Sequence, residues 1–286
     1  STLVLEDKVP KLLLHKYDEL MNTGSFIPCE KNIHGVNSLT WQSLKERMLV
    51  DRLENKTKNI FDLLQKNKNH WEEICWWLLA KNFGIKLNAA AFEKVARSIP
   101  VTVLAKHKGQ IHQAEALLFG QAGLLDADLT GDYPKMLQRE YLFLKKKYNF
   151  PKVEASMIFL RMRPSNFPTV RLAQLAMLLH KSHQLFSKIK ESPDVKTIRD
   201  LLQVTANDYW HYHYVFDVTS AFKKKKLGKQ MIDNILINTV VPVLFAYGHY
   251  HNENVYKDKA LQWMEQIKAE KNAITTGFAA LQVNNK

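Results

Sequence analysis

Apolar positions in this chain recur at helical rather than alternating spacing. Leu12, Leu13, Tyr17 and Leu20 form one stripe behind Pro10, a residue suited to a helix's first turn. From Ser38, read as an N-cap, Trp41, Leu44, Met48, Leu53, Ile60 and Leu64 share a broad face of a long helix. Between them, 23–37 reads as a loop. Asn69 and Glu72 have capping-box spacing and open a helix over 69–83, with Gly84 where a helix usually stops. Asn88 is read as the next cap, with Phe92, Val95 and Ala96 inward and an end before Pro100. Another helix is expected over 110–125. Asp132 with Pro134 starts one carrying Met136, Leu137, Tyr141, Leu144 and Tyr148. Pro168 opens one with Leu172, Leu175, Leu179 and Phe186 in phase, and Ser192-Pro193 opens the next. Helix returns from about Leu227, where Pro242 should kink or break it, and again over 252–267. Extended structure is confined to Leu3-Val4-Leu5 and the aromatic stretch 209–218.

These periods predict an all-α fold, an irregular multi-helical array with little or no β-sheet. The expected organisation is an N-terminal segment over 1–36, a helical subdomain over 37–150, and a second over 151–286 packed on the first. Phe150-Pro151 is the seam. No repeat at solenoid periods is present. With only 10 Gly and 9 Pro in 286 residues, breakers are few, which favours long helices. Gly120 and Gly123 would each cost about 1 kcal/mol against Ala in an exposed helix, so a close helix–helix approach is expected there. Cys29 and Cys75 are too few for a disulfide framework or a zinc site. Cys75 reads as a small core residue, and a reduced, cytoplasmic setting is expected. The most apolar stretch, 231–247, is interrupted by Asp233, Asn234, Asn238 and Pro242, so no membrane helix is expected. The chain opens on Ser1 without a signal peptide, and reads as a processed form or an excised fragment.

Charge narrows the candidate chemistry. The net charge is +13, an electrostatic footprint compatible with nucleic acid or an acidic protein as partner. Arg161, Arg163 and Arg171 bracket a turn that holds Pro164 and Pro168, directly ahead of a helix start. Guanidinium groups need anions, which are either a ligand's phosphates or the protein's own acids. Glu115 and Glu140 are the candidate internal partners, and this structural reading is weighed ahead. Lys223-Lys224-Lys225-Lys226 is the densest positive run, read as a phosphate-contacting segment or, more simply, a solvated loop. Lys145-Lys146-Lys147 suits the negative end of a helix dipole. His211/His213 and His249/His251 have chelating spacing but no supporting carboxylate, so packing or surface roles are preferred. Trp71, Trp76 and Trp77 are read as core rather than as a stacking platform. No catalytic constellation is self-contained in the chain, and no cofactor or metal is implied.

Several strings act together. They are Arg52-Leu53-Glu54-x-Lys56, Leu79-Ala80-x-Asn82-Phe83-Gly84, Glu115-Ala116-x-Leu118-Phe119-Gly120-Gln121-Ala122-Gly123, and Glu140-Tyr141. The strongest are Arg161-x-Arg163-Pro164-x-Asn166-Phe167-Pro168 with Arg171 and Ala173-Gln174-Leu175-Ala176, and Ile235-Leu236-Ile237-Asn238-Thr239-Val240-Val241-Pro242. With them the chain resembles a bacterial family known as domain of unknown function 2851, over most of its length. The resemblance implies no established activity. It implies that relatives begin with a β-rich region bearing acidic motifs, similar to those of metal-dependent nucleases, and end in a cysteine-containing tail. Neither is found here, so the chain reads as the helical body without that N-terminal region of the same gene product. The leading functional expectation is a basic helical binding or scaffold module for nucleic acid or another polyanion, served by Arg161, Arg163, Arg171 and Lys223 to Lys226. The alternative is an interaction body that supports the absent enzymatic region. A stand-alone enzyme ranks last.

Overall fold

A computed structural model describes residues 10–22, 24–25, 27, 30–182, 184–267 and 273–280. Within them the chain is helical nearly throughout, as the periodicity requires. The strand expected at Leu3-Val4-Leu5 lies outside the described residues, as does Cys29.

Contacts divide the chain into two compact units, one of residues 1–52 with 269–286, the other of 53–268. The first holds α1 (Lys11–Met21), a 3-10 helix (Glu30–Gly35) inside the expected loop, the start of α2 (Ser38–Lys66), and α15 (Ala273–Ala280). Asn37, not Ser38, caps α2, because its Oδ1 accepts the Thr40 N–H at 2.7 Å. The amphipathic stripes are present, yet Leu12, Leu13 and Tyr17 on α1 and Leu39, Leu44 and Met48 on α2 are exposed.

The second unit carries the core. After the buried Leu53, Ile60 and Leu64 of α2 come α3 (Trp71–Phe83), α4 (Ile85–Ser98), α5 (Val101–His107), α6 (Ile111–Gln121) and α7 (Asp132–Tyr148). Then follow α8 (Pro168–Lys181), α9 (Leu185–Glu191), α10 (Val195–Leu201) and α11 (Asp208–His211). A short antiparallel hairpin, β1 (His213–Val215) and β2 (Val218–Thr219), precedes α12 (Lys229–Ile235), a π-helical turn (Leu236–Val240), α13 (Val241–Tyr250) and α14 (Asn254–Gln266). Helices α6, α8 and α13 are buried on nearly all sides, as their apolar circumference demands. Helix α6 packs on α7 and α8, α3 on α4, and α13 on α14.

Several local readings are corrected by tertiary partners. Helix α3 is capped by His70, whose Nδ1 accepts the Glu73 N–H at 3.1 Å, while Asn69 turns the chain with φ 58°. Glu72 instead accepts the N–H groups of Phe186 and Ser187, serving the start of α9. Gly84 keeps a right-handed backbone, and the left-handed residue is Ile85 with φ 54°. A Cβ on Gly84 would lie 2.5 Å from the Asn88 carbonyl oxygen, and that is why glycine sits there. Asn88 is no cap: it lies buried inside α4. The helix expected over 110–125 ends at Gln121, with α5 a separate helix before it, and Phe186 belongs to α9 rather than α8. Gly120 does mark a close approach, since a Cβ would meet the Tyr141 ring at 2.2 Å; Gly123 is needed for its φ of 70°.

Pro242 acts through the turn before it. It has no N–H for the Asn238 carbonyl, and the helix loosens into the π-helical turn rather than breaking. Lys56 fills the gap: its Nζ donates to the Asn238 carbonyl at 3.3 Å and to Asn238 Oδ1 at 2.9 Å. Residues Lys229–Tyr250 are long and apolar enough to cross a membrane, but the 18-residue apolar window within them is 72% buried inside the protein.

Candidate polyanion surface

The arginine turn is approached along an extended segment, 151–159, laid across α4. Asn88 holds it with both ends of its amide: Nδ2 donates to the Ile158 carbonyl at 2.9 Å, and Oδ1 accepts the Ile158 N–H at 2.7 Å. The chain then reverses at Arg161, whose φ is 60°. It makes one 3-10 turn (Pro164–Asn166) and enters α8 at Pro168, whose fixed φ and missing N–H suit a first turn. The side chains of Arg161 and Arg163 are exposed and make no hydrogen bond or ion pair among the described residues.

Arg171 behaves differently. It is 7% exposed, donating from Nη2 to Asn166 Oδ1 at 2.6 Å and from Nη1 to Gln174 Oε1 at 2.9 Å. No carboxylate answers its charge among the described residues, and its Nε has no partner. Burial pushes its pKa down to about 10, so it stays cationic at neutral pH. Gln174 then passes the connection on: its Nε2 donates to the Lys225 carbonyl at 3.1 Å. The arginine turn and the lysine run, far apart in sequence, are thus joined through Asn166, Arg171 and Gln174.

The lysine run keeps Lys223, Lys224 and Lys226 in water, but it is held by its backbone and Lys225 is buried. Backbone hydrogen bonds pin it beside 204–212: Ser220 N–H to the Tyr212 carbonyl, Lys223 N–H to His211, Ala206 N–H to Lys225, and Leu227 N–H to Val204. An extended backbone alternates its side chains, and Lys225 points in while Lys224 and Lys226 point out. Lys225 is buried, its Nζ 3.6 Å from the Tyr214 ring centre and 3.4 Å from the His211 carbonyl oxygen. The hairpin behind it is fixed by Asp217, which accepts the N–H groups of Thr130 and Gly131 at the head of α7. Arg171 and Lys225 are therefore structural, and the exposed cations are Arg161, Arg163, Lys223, Lys224 and Lys226. Tyr212 and Phe222, not singled out by sequence, stand exposed at the head of the lysine run with ring centres 5.2 Å apart.

Neither expected acid meets an arginine. Glu115 is fully buried in α6 and is held by the Tyr133 hydroxyl, Asn207 Nδ2 at 2.7 Å and Trp210 Nε1 at 3.1 Å. Desolvation outweighs these neutral donors and pushes its pKa up to about 7. Glu140 accepts from Gln113 Nε2 at 2.7 Å, and Gln113 in turn meets His107. Alternation along an extended segment would have flagged Lys225, and a buried acid's need for donors would have flagged Tyr133, Asn207 and Trp210.

The remaining candidates are absorbed by packing. Trp71 stacks on Phe186, Trp76 donates to the carbonyls of Ala96 and Ile99, and Trp77 donates to Glu73 beneath Arg97. His213 stacks face to face on Tyr209 at 4.0 Å, and His249 on Phe61 at 5.7 Å. Among the described residues, no three His, Cys, Asp or Glu side chains gather where they could hold a metal ion. A mainly apolar cavity of about 310 Å³ lies between Trp76, Leu104, Leu179 and Leu185. Of its polar lining, Glu72 is engaged by the head of α9 and Ser182 by Lys188 Nζ.

No curated protein and no solved structure matches this chain. A family described as Protein of unknown function (DUF2851) matches residues 1–273, which takes in the arginine turn, the Gln174 bridge and the Lys56–Asn238 contact, and the chain belongs to that family.

Proposed function

We propose that the protein binds nucleic acid or another polyanion on the surface made by the arginine turn and the lysine run. The observation that carries this reading is the Asn166–Arg171–Gln174–Lys225 connection, which ties two separate basic segments into one ordered platform. Two cations are spent inside to position the platform, and five are left in water without acidic partners among the described residues. Such a field attracts phosphates, each contact releasing counterions. A cytoplasmic setting goes with this reading, since Cys75 is buried and free.

The test is a mobility-shift titration with a labelled oligonucleotide at low salt. Arg163→Glu and Lys224→Glu, one from each segment, should each weaken binding severalfold. Lys146→Glu makes the same charge change at the end of α7 and should cost less. Equal losses in all three would leave only non-specific charge and defeat the reading.

A second reading is supported by the first unit. Leu12, Leu13 and Tyr17 with Leu39, Leu44 and Met48 are amphipathic-helix faces left exposed, which suits an interaction body carrying an adjoining region or an acidic protein. Co-purification with a β-rich region of the kind the family resemblance implies tests it, and failure of the two to associate would end it.

A further inference from the structure

The exposed aromatic pair at the start of the lysine run narrows the class of polyanion. Phe222 is 55% exposed and immediately precedes Lys223, and Tyr212, 51% exposed, follows His211, whose carbonyl accepts the Lys223 N–H. Their positions are set by the backbone. The Tyr212 carbonyl accepts both the N–H and the Oγ of Ser220, and the Lys223 N–H is held by the His211 carbonyl. Phe222 is braced from behind by the edge of the buried His211 ring at 5.6 Å. Two large rings are therefore presented to water in fixed places among lysines.

Leaving that much aromatic surface in water is unfavourable, and a flat apolar partner with a charged backbone relieves it. A duplex supplies the charge but hides its base faces in the stack. A single strand offers phosphates and unstacked bases together. The geometry points to single-stranded nucleic acid as the ligand, with bases stacking on Phe222 and Tyr212 while Lys223 and Lys224 hold flanking phosphates. This rests on the polyanion reading above and specifies it.

The experiment uses the full chain and two fluorescent probes of equal length, an oligo-dT and a hairpin duplex, in anisotropy titrations over a salt series. Oligo-dT should bind more tightly than the duplex. Phe222→Ala should weaken oligo-dT by roughly five- to tenfold, the low end of the range for stacking one base. It should leave duplex binding and the salt slope unchanged, and Phe222→Trp should restore the affinity. Lys224→Ala should reduce the slope for both probes. Thermal melts of the variants control for folding. Equal affinity for both probes, or an unchanged oligo-dT affinity in Phe222→Ala, overturns the single-strand inference while the polyanion reading stands. Failure of both probes to bind overturns both readings. Polyglutamate that competes as well as oligo-dT, with the same sensitivity to Phe222→Ala, assigns the surface to an acidic protein and overturns the inference.

Discussion

Glu115 offers the clearest energetic consequence of this core. Its carboxyl is fully buried, and three neutral donors do not compensate the lost hydration, so its pKa rises from the ordinary 4.5 to about 7. The folded state therefore keeps a proton there that the unfolded chain has released. By linkage, this group's contribution to stability is fully present below pH 4.5 and is lost as pH rises through about 7. At about 1.4 kcal/mol per pH unit, the loss across that interval is about 3 kcal/mol. Glu115→Gln has similar size, keeps an oxygen for Asn207 and Trp210, and carries no charge at any pH. Urea unfolding of both proteins at several values from about pH 4.5 to about pH 8 isolates the effect, because the other titrating groups cancel in the difference. The stability of the wild-type protein relative to Glu115→Gln should fall by about 3 kcal/mol across the series and level off above it. A difference that stays flat, or rises with pH, would refute the reasoning that Glu115 is protonated by burial.

Other perturbations test separate joints of the fold. Gly120→Ala drives a methyl group into the Tyr141 ring and should destabilise by about 1–3 kcal/mol in urea melts. Asn88→Ala removes both bonds to Ile158 and should cost about 1–3 kcal/mol, with faster proteolysis within 151–163 as the local readout. Lys56→Met removes both bonds that Lys56 Nζ gives to Asn238 beside the proline. It should lower stability by about 1–3 kcal/mol and speed amide exchange around the π-helical turn. Arg171→Lys cannot hold Asn166 and Gln174 together, so it should weaken oligonucleotide binding while leaving every exposed cation in place.

The helical character was legible because apolar spacing and punctuation are local signals. Asp132 with Pro134 placed the start of α7, Pro168 opened α8, and Pro242 marked the disturbed turn. Errors arose where a tertiary partner outbid a local preference. Glu72 had the spacing to cap its own helix, yet its carboxylate serves α9, more than a hundred residues later. Asn88 looked like a cap because asparagine is a poor helix former; its burial follows from an extended segment that no local window contains. The same holds for the candidate site. The arginine and lysine segments were both visible, but their connection through Gln174 spans 51 residues and exists only once α8 is packed. A four-lysine run offers no hint that one member is buried until its backbone is seen pinned at alternate residues. Glu115 was recognised as an acid in an apolar setting, and the expectation of an arginine partner failed because neutral donors arrive from α7 and from the residues around the head of α11.

The central claim is that five exposed cations form one phosphate-binding surface, and the salt dependence of oligonucleotide binding tests it most directly. If all five contact phosphates, the logarithm of the association constant should fall against the logarithm of salt with a slope near −3.5 for a single strand, at about −0.7 per contact. Lys224→Ala should bring the slope to about −2.8. A slope near zero, or one that Lys224→Ala and Arg163→Ala leave unchanged, would contradict the account.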